Sequence, residues 1–187
     1  MFSARFSQWM CATVLLAGSA NALAVPDAQF VPAFEVFLRA TQGDNAAIEK
    51  AVDAFAALTR AEPTNPVLLG YSGASIALQA KTTLLPWKKM AYAEDGLAQL
   101  DKALAMLKPA HNAAGQNQVP AVLDVKLVAA NTYLALPRMM NRHDQGRRLL
   151  GEVANSPLLA GSPAAFREAV QKALDKAAPK AVEAGAK

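Results

Sequence analysis

The sequence holds little of the material from which metal and redox centres are built: one cysteine and two histidines in 187 residues. Aromatic residues are also scarce, 12 in all, which argues against a β-sandwich or barrel, whose strands draw on Val, Ile, Thr and aromatics. No apolar run approaches the roughly 20 residues needed to span a bilayer. Charge of either sign is modest, with 19 Lys+Arg against 15 Asp+Glu, a net +4. A chain this weakly charged and 53% hydrophobic is not disordered, and its charge is too small to point to nucleic acid. What the chain has in abundance is alanine, 42 residues, interspersed with leucine, lysine and glutamate, a composition that favours helix.

The first two dozen residues read as a secretory signal. Arg5 supplies positive charge, Trp9 to Ala17 forms an apolar stretch, and Ala20-Asn21-Ala22 and Ala22-Leu23-Ala24 offer small-residue cleavage sites. Cleavage near Ala22–Ala24 leaves a periplasmic or secreted chain, which from residue 25 onward has 163 residues and net charge +3. Cys11 lies inside the apolar stretch, behind Gln8-Trp9-Met10, a poor setting for lipidation. The mature chain then has no thiol, which excludes disulfides, thiol catalysis and cysteine metal sites. The expected organisation is a signal over 1–24, one all-α domain over 25–178 and a flexible tail over 179–187.

Proline, glycine and asparagine divide the domain into about seven helices. The first is expected from about Pro32 to Ala40 with Phe34, Phe37 and Leu38 on one face, and the second from Ala46 to Ala61, capped by Asp44 or Asn45. Asn65-Pro66 opens a third helix almost free of charge, whose small residues Gly70, Ser72, Gly73, Ala74 and Ser75 allow neighbours to approach and bury it on most sides. The fourth begins at Pro86, with Met90, Leu97, Leu100, Leu104 and Leu107 facing inward. Residues 109–119 read as a polar connector. Helices follow over Pro120–Leu136 and from Asn141 to about 155, and Ser162 and Pro163 cap a last one. The helix pairs fall at about 30–61, 66–108 and 120–156, with the terminal helix at 163–178.

An internal repeat joins these pairs. Ala51, Phe55 and Leu58, followed by Pro63, correspond to Gly96, Leu100 and Ala103 before Pro109, and to Gly146, Leu150 and Val153 before Pro157. In the preceding helices, Gly73-Ala74 with Ala77-Leu78 aligns with Ala129-Ala130 with Tyr133-Leu134. A small residue lets the partner helix approach, and the larger one a turn later fills the gap beside it. The pattern resembles the tetratricopeptide repeat, whose A-x3-F…P half is matched by Ala51, Phe55 and Pro63. The copies recur at 45 and 50 residues, longer than the roughly 34 of the standard repeat, and the first-helix Trp and Tyr are mostly absent. Pro86-Trp87-Lys88-Lys89-Met90, Gly96-Leu97 with Leu100-Asp101-Lys102-Ala103, and Thr132-Tyr133-Leu134-Ala135-Leu136-Pro137 are similar to motifs of exported bacterial helical proteins. The resemblance implies antiparallel pairs stacked as a short right-handed superhelix, and no reaction.

Candidate chemistry is sparse. His111 and His143 lack a second ligand at metal spacing and read as surface or capping residues. Asp53, Glu94, Asp95 and Asp101 are expected on solvated faces, and Ser72 and Ser75 lie on the thin helix without a nucleophile elbow. Neither a cofactor, a metal nor an enzymatic role is expected. Trp87, flanked by Lys88 and Lys89, either packs over the 82–86 insertion or serves as an amphipathic anchor for an acidic partner or lipid head groups. Arg138, Arg142, His143, Arg147 and Arg148 form a basic run that reads as a solvated face or an anion site. The leading expectation is a non-catalytic repeat protein that binds another envelope protein or peptide through its concave face. Its contact candidates are Tyr71, Trp87, Lys88, Lys126, Tyr133, Arg138 and Arg142. The alternative is a small-molecule or lipid-binding domain, with an apolar cavity between the third and fifth helices lined by Tyr71 and Tyr133.

Overall fold

A computed structural model describes residues 27–178, so the expected signal and the expected tail lie outside the described residues. Within them the chain is all-α. The helices are α1 (Asp27–Thr41), α2 (Asn45–Ala61), α3 (Pro66–Gln79), α4 (Pro86–Ala105), α5 (Ala121–Ala135), α6 (His143–Ala154) and α7 (Ala164–Ala177). Neighbouring helices pack as pairs: α1 on α2, α2 on α3, α3 on α4 and α5 on α6. The α5/α6 pair docks chiefly through α5 onto α3, and α7 lies against α6 and α5.

The local sequence accounts for most helix ends. Asp44 accepts from the backbone N–H groups of Ala46 and Ala47 at 3.0 and 3.2 Å, and Asn65 from those of Val67 and Leu68 at 3.0 and 3.4 Å. Pro66 and Pro86 occupy first helical positions, where a missing N–H costs nothing. Gly43, at φ 106°, makes the left-handed turn out of α1. Ser162 departs from its expected role: its hydroxyl donates to the Leu158 carbonyl at 3.0 Å, and Pro163 opens α7 without a side-chain cap.

Three other expectations are corrected. Helix α1 begins at Asp27 and runs through Pro32, so its buried stripe is Phe30, Ala33, Phe37 and Ala40, and Leu38 turns outward. Met90 is exposed rather than part of the α4 stripe. The connector over 109–119 is ordered, with short 3-10 turns at Pro109–Asn112 and Gln116–Gln118. His111 Nδ1 accepts the Lys108 N–H at 2.9 Å, the Gly115 N–H reaches the Val119 carbonyl at 2.8 Å, and the Asn117 N–H reaches Asp27 at 3.2 Å. Side chain and backbone thus pair polar groups that a structureless loop would leave to water.

Helix α3 is the centre of the domain. Eleven of its 14 residues are buried, among them Ser75, whose hydroxyl donates to the Tyr71 carbonyl at 2.8 Å. Tyr71 joins Phe30, Phe34, Phe37 and Phe55 in an aromatic cluster, stacked on Phe55 at 5.1 Å between centroids and meeting Phe37 edge-on at the same separation. On the other side α3 meets α4 at a glycine seam. A Cβ on Gly73 would lie 2.7 Å from the Gly96 carbonyl oxygen, and one on Gly96 would lie 2.6 Å from that of Gly73 and 2.7 Å from the Ala77 nitrogen. Gly146 plays the same part in the next pair, where a Cβ would meet Leu134 at 2.9 Å and the Ala130 carbonyl at 3.2 Å. The glycine positions Gly73, Gly96 and Gly146 of the repeat are therefore where paired helices touch.

The seam also sets how far each helix reaches. From the level of Gly73, α3 continues six residues to Gln79, whereas α4 starts ten residues before Gly96. At about 1.5 Å per residue, the first turn of α4 outreaches the end of α3 by about 6 Å.

Because backbone faces backbone at the seam, Gly96→Ala is expected to lower the unfolding free energy by about 1–3 kcal/mol in urea titration, despite alanine's better helix propensity. Gly151 lies inside α6, with open space where a methyl group would stand, so Gly151→Ala is expected to raise it by about 0.5–1 kcal/mol.

Candidate functional site

Two tyrosine–aspartate pairs hold the α5/α6 pair onto α3/α4. In the first, the Tyr71 hydroxyl of α3 donates to Asp124 Oδ1 of α5 at 2.7 Å, with both residues buried. Burial, followed by the Asp124 charge and hydrogen bond, pushes the Tyr71 phenol well above its ordinary value. Burial likewise raises the Asp124 carboxyl to about 6, against the opposing effect of the Tyr71 hydrogen bond. In the second pair, the Tyr133 hydroxyl of α5 donates to Asp101 Oδ1 of α4 at 2.6 Å. The Arg142 guanidinium bridges both oxygens of Asp101, at 3.2 and 2.7 Å, and sits 5.5 Å from the centroid of the Tyr133 ring. The Tyr133 phenol is raised by burial and then by Asp101, with Arg142 acting in the other direction.

These pairs redistribute the expected contact residues. Tyr71 and Tyr133 are 6% and 0% exposed with their hydroxyls engaged, so neither offers a surface to a partner. Asp101, expected on a solvated face, is instead half-buried beneath Tyr133 and Arg142. The space between α3 and α5 is filled where a ligand cavity was the alternative expectation. Val128 Cγ1 lies 3.3 Å from where a Gly70 Cβ would be, and the aromatic cluster closes around the Tyr71 ring. Asp124 is the buried group that sequence reasoning missed. Its signal was a lone acid on an otherwise nearly apolar helix, which needs a donor wherever that helix is buried on all sides.

The remaining candidates lie at the surface in three places. Arg138 lines a cleft of about 560 Å³ between α5, α6 and the end of α7, together with His143, Arg147 and Lys176 over Leu134, Ala135 and Ala173. His143 Nε2 lies 2.7 Å from the Leu136 carbonyl and must donate to it, while Arg147 pairs with Asp144. The basic run thus divides, because Arg142 turns to Asp101 and Arg148 to Glu152 at 3.7 Å. Lys126 borders a shallower groove of about 440 Å³ and pairs with Glu152 at 2.8 Å. Trp87 and Lys88 stand at the projecting start of α4. Trp87 is 66% exposed, which corrects the expectation that it packs over the 82–86 insertion.

Among the described residues no three His, Cys, Asp or Glu side chains gather as a metal-binding set, and no helix is long and apolar enough to cross a membrane. No protein-family model matches the chain, and no curated protein or solved structure is significantly similar to it.

The Asp124 carboxyl gives the molecule a pH signature. With a folded value of about 6 above an ordinary 3.8, the unfolded chain holds fewer protons between those values, so this group's contribution to stability falls as pH rises through that window. The full effect is up to about 3 kcal/mol. Asp124→Asn, whose amide oxygen can still accept from Tyr71, is expected to be more stable than the wild type at pH 7.5 and nearly equal to it at pH 3.5. Thermal unfolding of the two chains across that range measures the difference.

Proposed function

We propose that this protein is a non-catalytic helical-repeat module that binds another envelope protein or peptide, as a scaffold or accessory of an envelope or transport assembly. The observation that carries this reading is the groove between the α3/α4 and α5/α6 pairs. Helix α5 packs on α3 more than on α4, and beyond Asp101, where Tyr133 and Arg142 hold α4, a groove opens between the end of α4, the start of α5 and α6. The gap has apolar residues Leu104, Leu107, Val122 and Leu149 at its base and Lys108, Lys126, Arg148 and Glu152 along its rim. An apolar base with a charged rim suits a helix or extended segment that presents alternating apolar and acidic side chains. The three basic groups against one acid set the preferred sign of the partner.

The tetratricopeptide-like reading fits the same geometry. Pairs joined at small residues, here Gly96 and Gly146, leave grooves between successive pairs, and repeat proteins hold partners on such concave surfaces. Export through an N-terminal signal, expected from the sequence alone, would place the module in the envelope.

The test is site-specific photocrosslinking in living cells, with the crosslinker at Val122 or at Lys126 and, as a control, at exposed Asp53 on α2. One discrete adduct at the groove positions and none at Asp53 is expected. With the crosslinked protein purified, Lys126→Glu combined with Arg148→Glu should weaken its binding at least about ten-fold while leaving the helical content unchanged, since the partly exposed ion pairs they make with Glu152 contribute little to stability. Equal adducts at all three positions, or unchanged affinity in the charge-reversed chain, would sink the reading.

A further inference from the structure

We propose that the projecting start of α4, with the turn that precedes it, attaches this protein to the surface of an anionic phospholipid bilayer. Residues 81–91 are all exposed except Thr83, which is half-buried. Six consecutive helical residues from Pro86 to Ala91 cover more than one full turn, so every face of the helix is free there. That freedom follows from the glycine seam, which fixes α4 beyond the end of α3.

The exposed residues are of an unusual kind. Six large hydrophobic side chains are exposed among the described residues, and four of them, Leu84, Leu85, Trp87 and Met90, lie within this one segment. Leu84 is 92% exposed. Apolar groups concentrated at one place mark an interaction surface, where scattered ones do not. Around them stand Lys81, Lys88 and Lys89, and the sequence has no acidic residue between Glu62 and Glu94. Among the described residues no side chain pairs with any of these three lysines.

The form and charge of the segment select the occupant. It projects, so it suits a surface that yields to an inserted side chain. Tryptophan and leucine enter the boundary between head groups and acyl chains, and lysines beside them meet lipid phosphates. Two lysines in the first turn of a helix oppose the helix dipole and are unfavourable in isolation. A negatively charged surface offsets that cost. None of these residues lines the groove between the helix pairs, so the attachment stands or falls separately from the binding of a protein partner there.

The protein as the cell accumulates it, its N-terminus checked by intact mass, is sedimented with vesicles of phosphatidylglycerol mixed with phosphatidylcholine, and with vesicles of phosphatidylcholine alone. Binding to the mixed vesicles is expected, with Trp87 emission shifting to the blue, and binding at least about ten-fold weaker to the neutral ones. Leu84→Ser with Trp87→Ala, and separately Lys88→Glu with Lys89→Glu, should each weaken binding to the mixed vesicles about ten-fold or more. Circular dichroism should report unchanged folding, because these side chains are exposed. The proposal is overturned if the wild type ignores anionic vesicles, if either double variant binds them as well as the wild type, or if Trp87 emission stays fixed on binding. A Trp87 shift seen only with a purified protein partner would assign the segment to that protein instead.

Discussion

At Gly73 and Gly96 two helix backbones approach until a single methyl group on either would overlap the other's carbonyl oxygen. Interior packing at native density leaves no room to absorb such a group without moving a helix. The contact therefore fixes the level of α4 against α3, and much else follows from that level. It sets Leu97, Leu100 and Ala103 into the core, leaves the first turns of α4 beyond the end of α3, and places Asp101 where Tyr133 and Arg142 can reach it. Gly146 repeats the device in the α5/α6 pair.

Where the two pairs meet, polar contacts join the close packing of Val128 on Gly70. Tyr71–Asp124 and Tyr133–Asp101 tie α5 to both helices of the preceding pair. A buried carboxyl held near pH 6 is a poor source of stability at neutral pH, since its ionised form has lost its water. What such a bond supplies is register: a buried phenol and a buried carboxyl are satisfied together in only one alignment of α3 and α5. Greasy interfaces between alanine-rich helices slide readily among near-equivalent packings, and a directional bond between them removes that freedom.

Those features whose cause is local were legible in the sequence. Asp44 and Asn65 cap, Pro66 and Pro86 open helices, and the uncharged, small-residue stretch from Gly70 to Ser75 is a helix buried on nearly all sides. The repeat located the seams because a small residue followed by a large one is the imprint of a close helix crossing. What escaped was set by tertiary partners. Asp101 and Arg142 are 41 positions apart and Tyr71 and Asp124 are 53 apart, so no periodicity reveals that they meet. Leu38 and Met90 follow a helical spacing yet face outward, because α1 starts earlier than the spacing indicates and the first turns of α4 pass beyond the end of α3. The exposure of Trp87 depended on the same offset: the residues suited a packed turn or an exposed anchor, and the reach of α4 past α3 leaves Trp87 unpacked.

The fold rests on α3 and α4 being locked at the glycine seam with the start of α4 left free, and amide hydrogen exchange resolved to single residues tests this most directly. Protection along α4 should climb steeply from Met90 to Leu100, and the amides of Ser72 to Ala77 in α3 should exchange only through global unfolding. Protection at Met90 to Tyr92 equal to that at Leu100, or α3 amides opening more readily than those of α7, would contradict it.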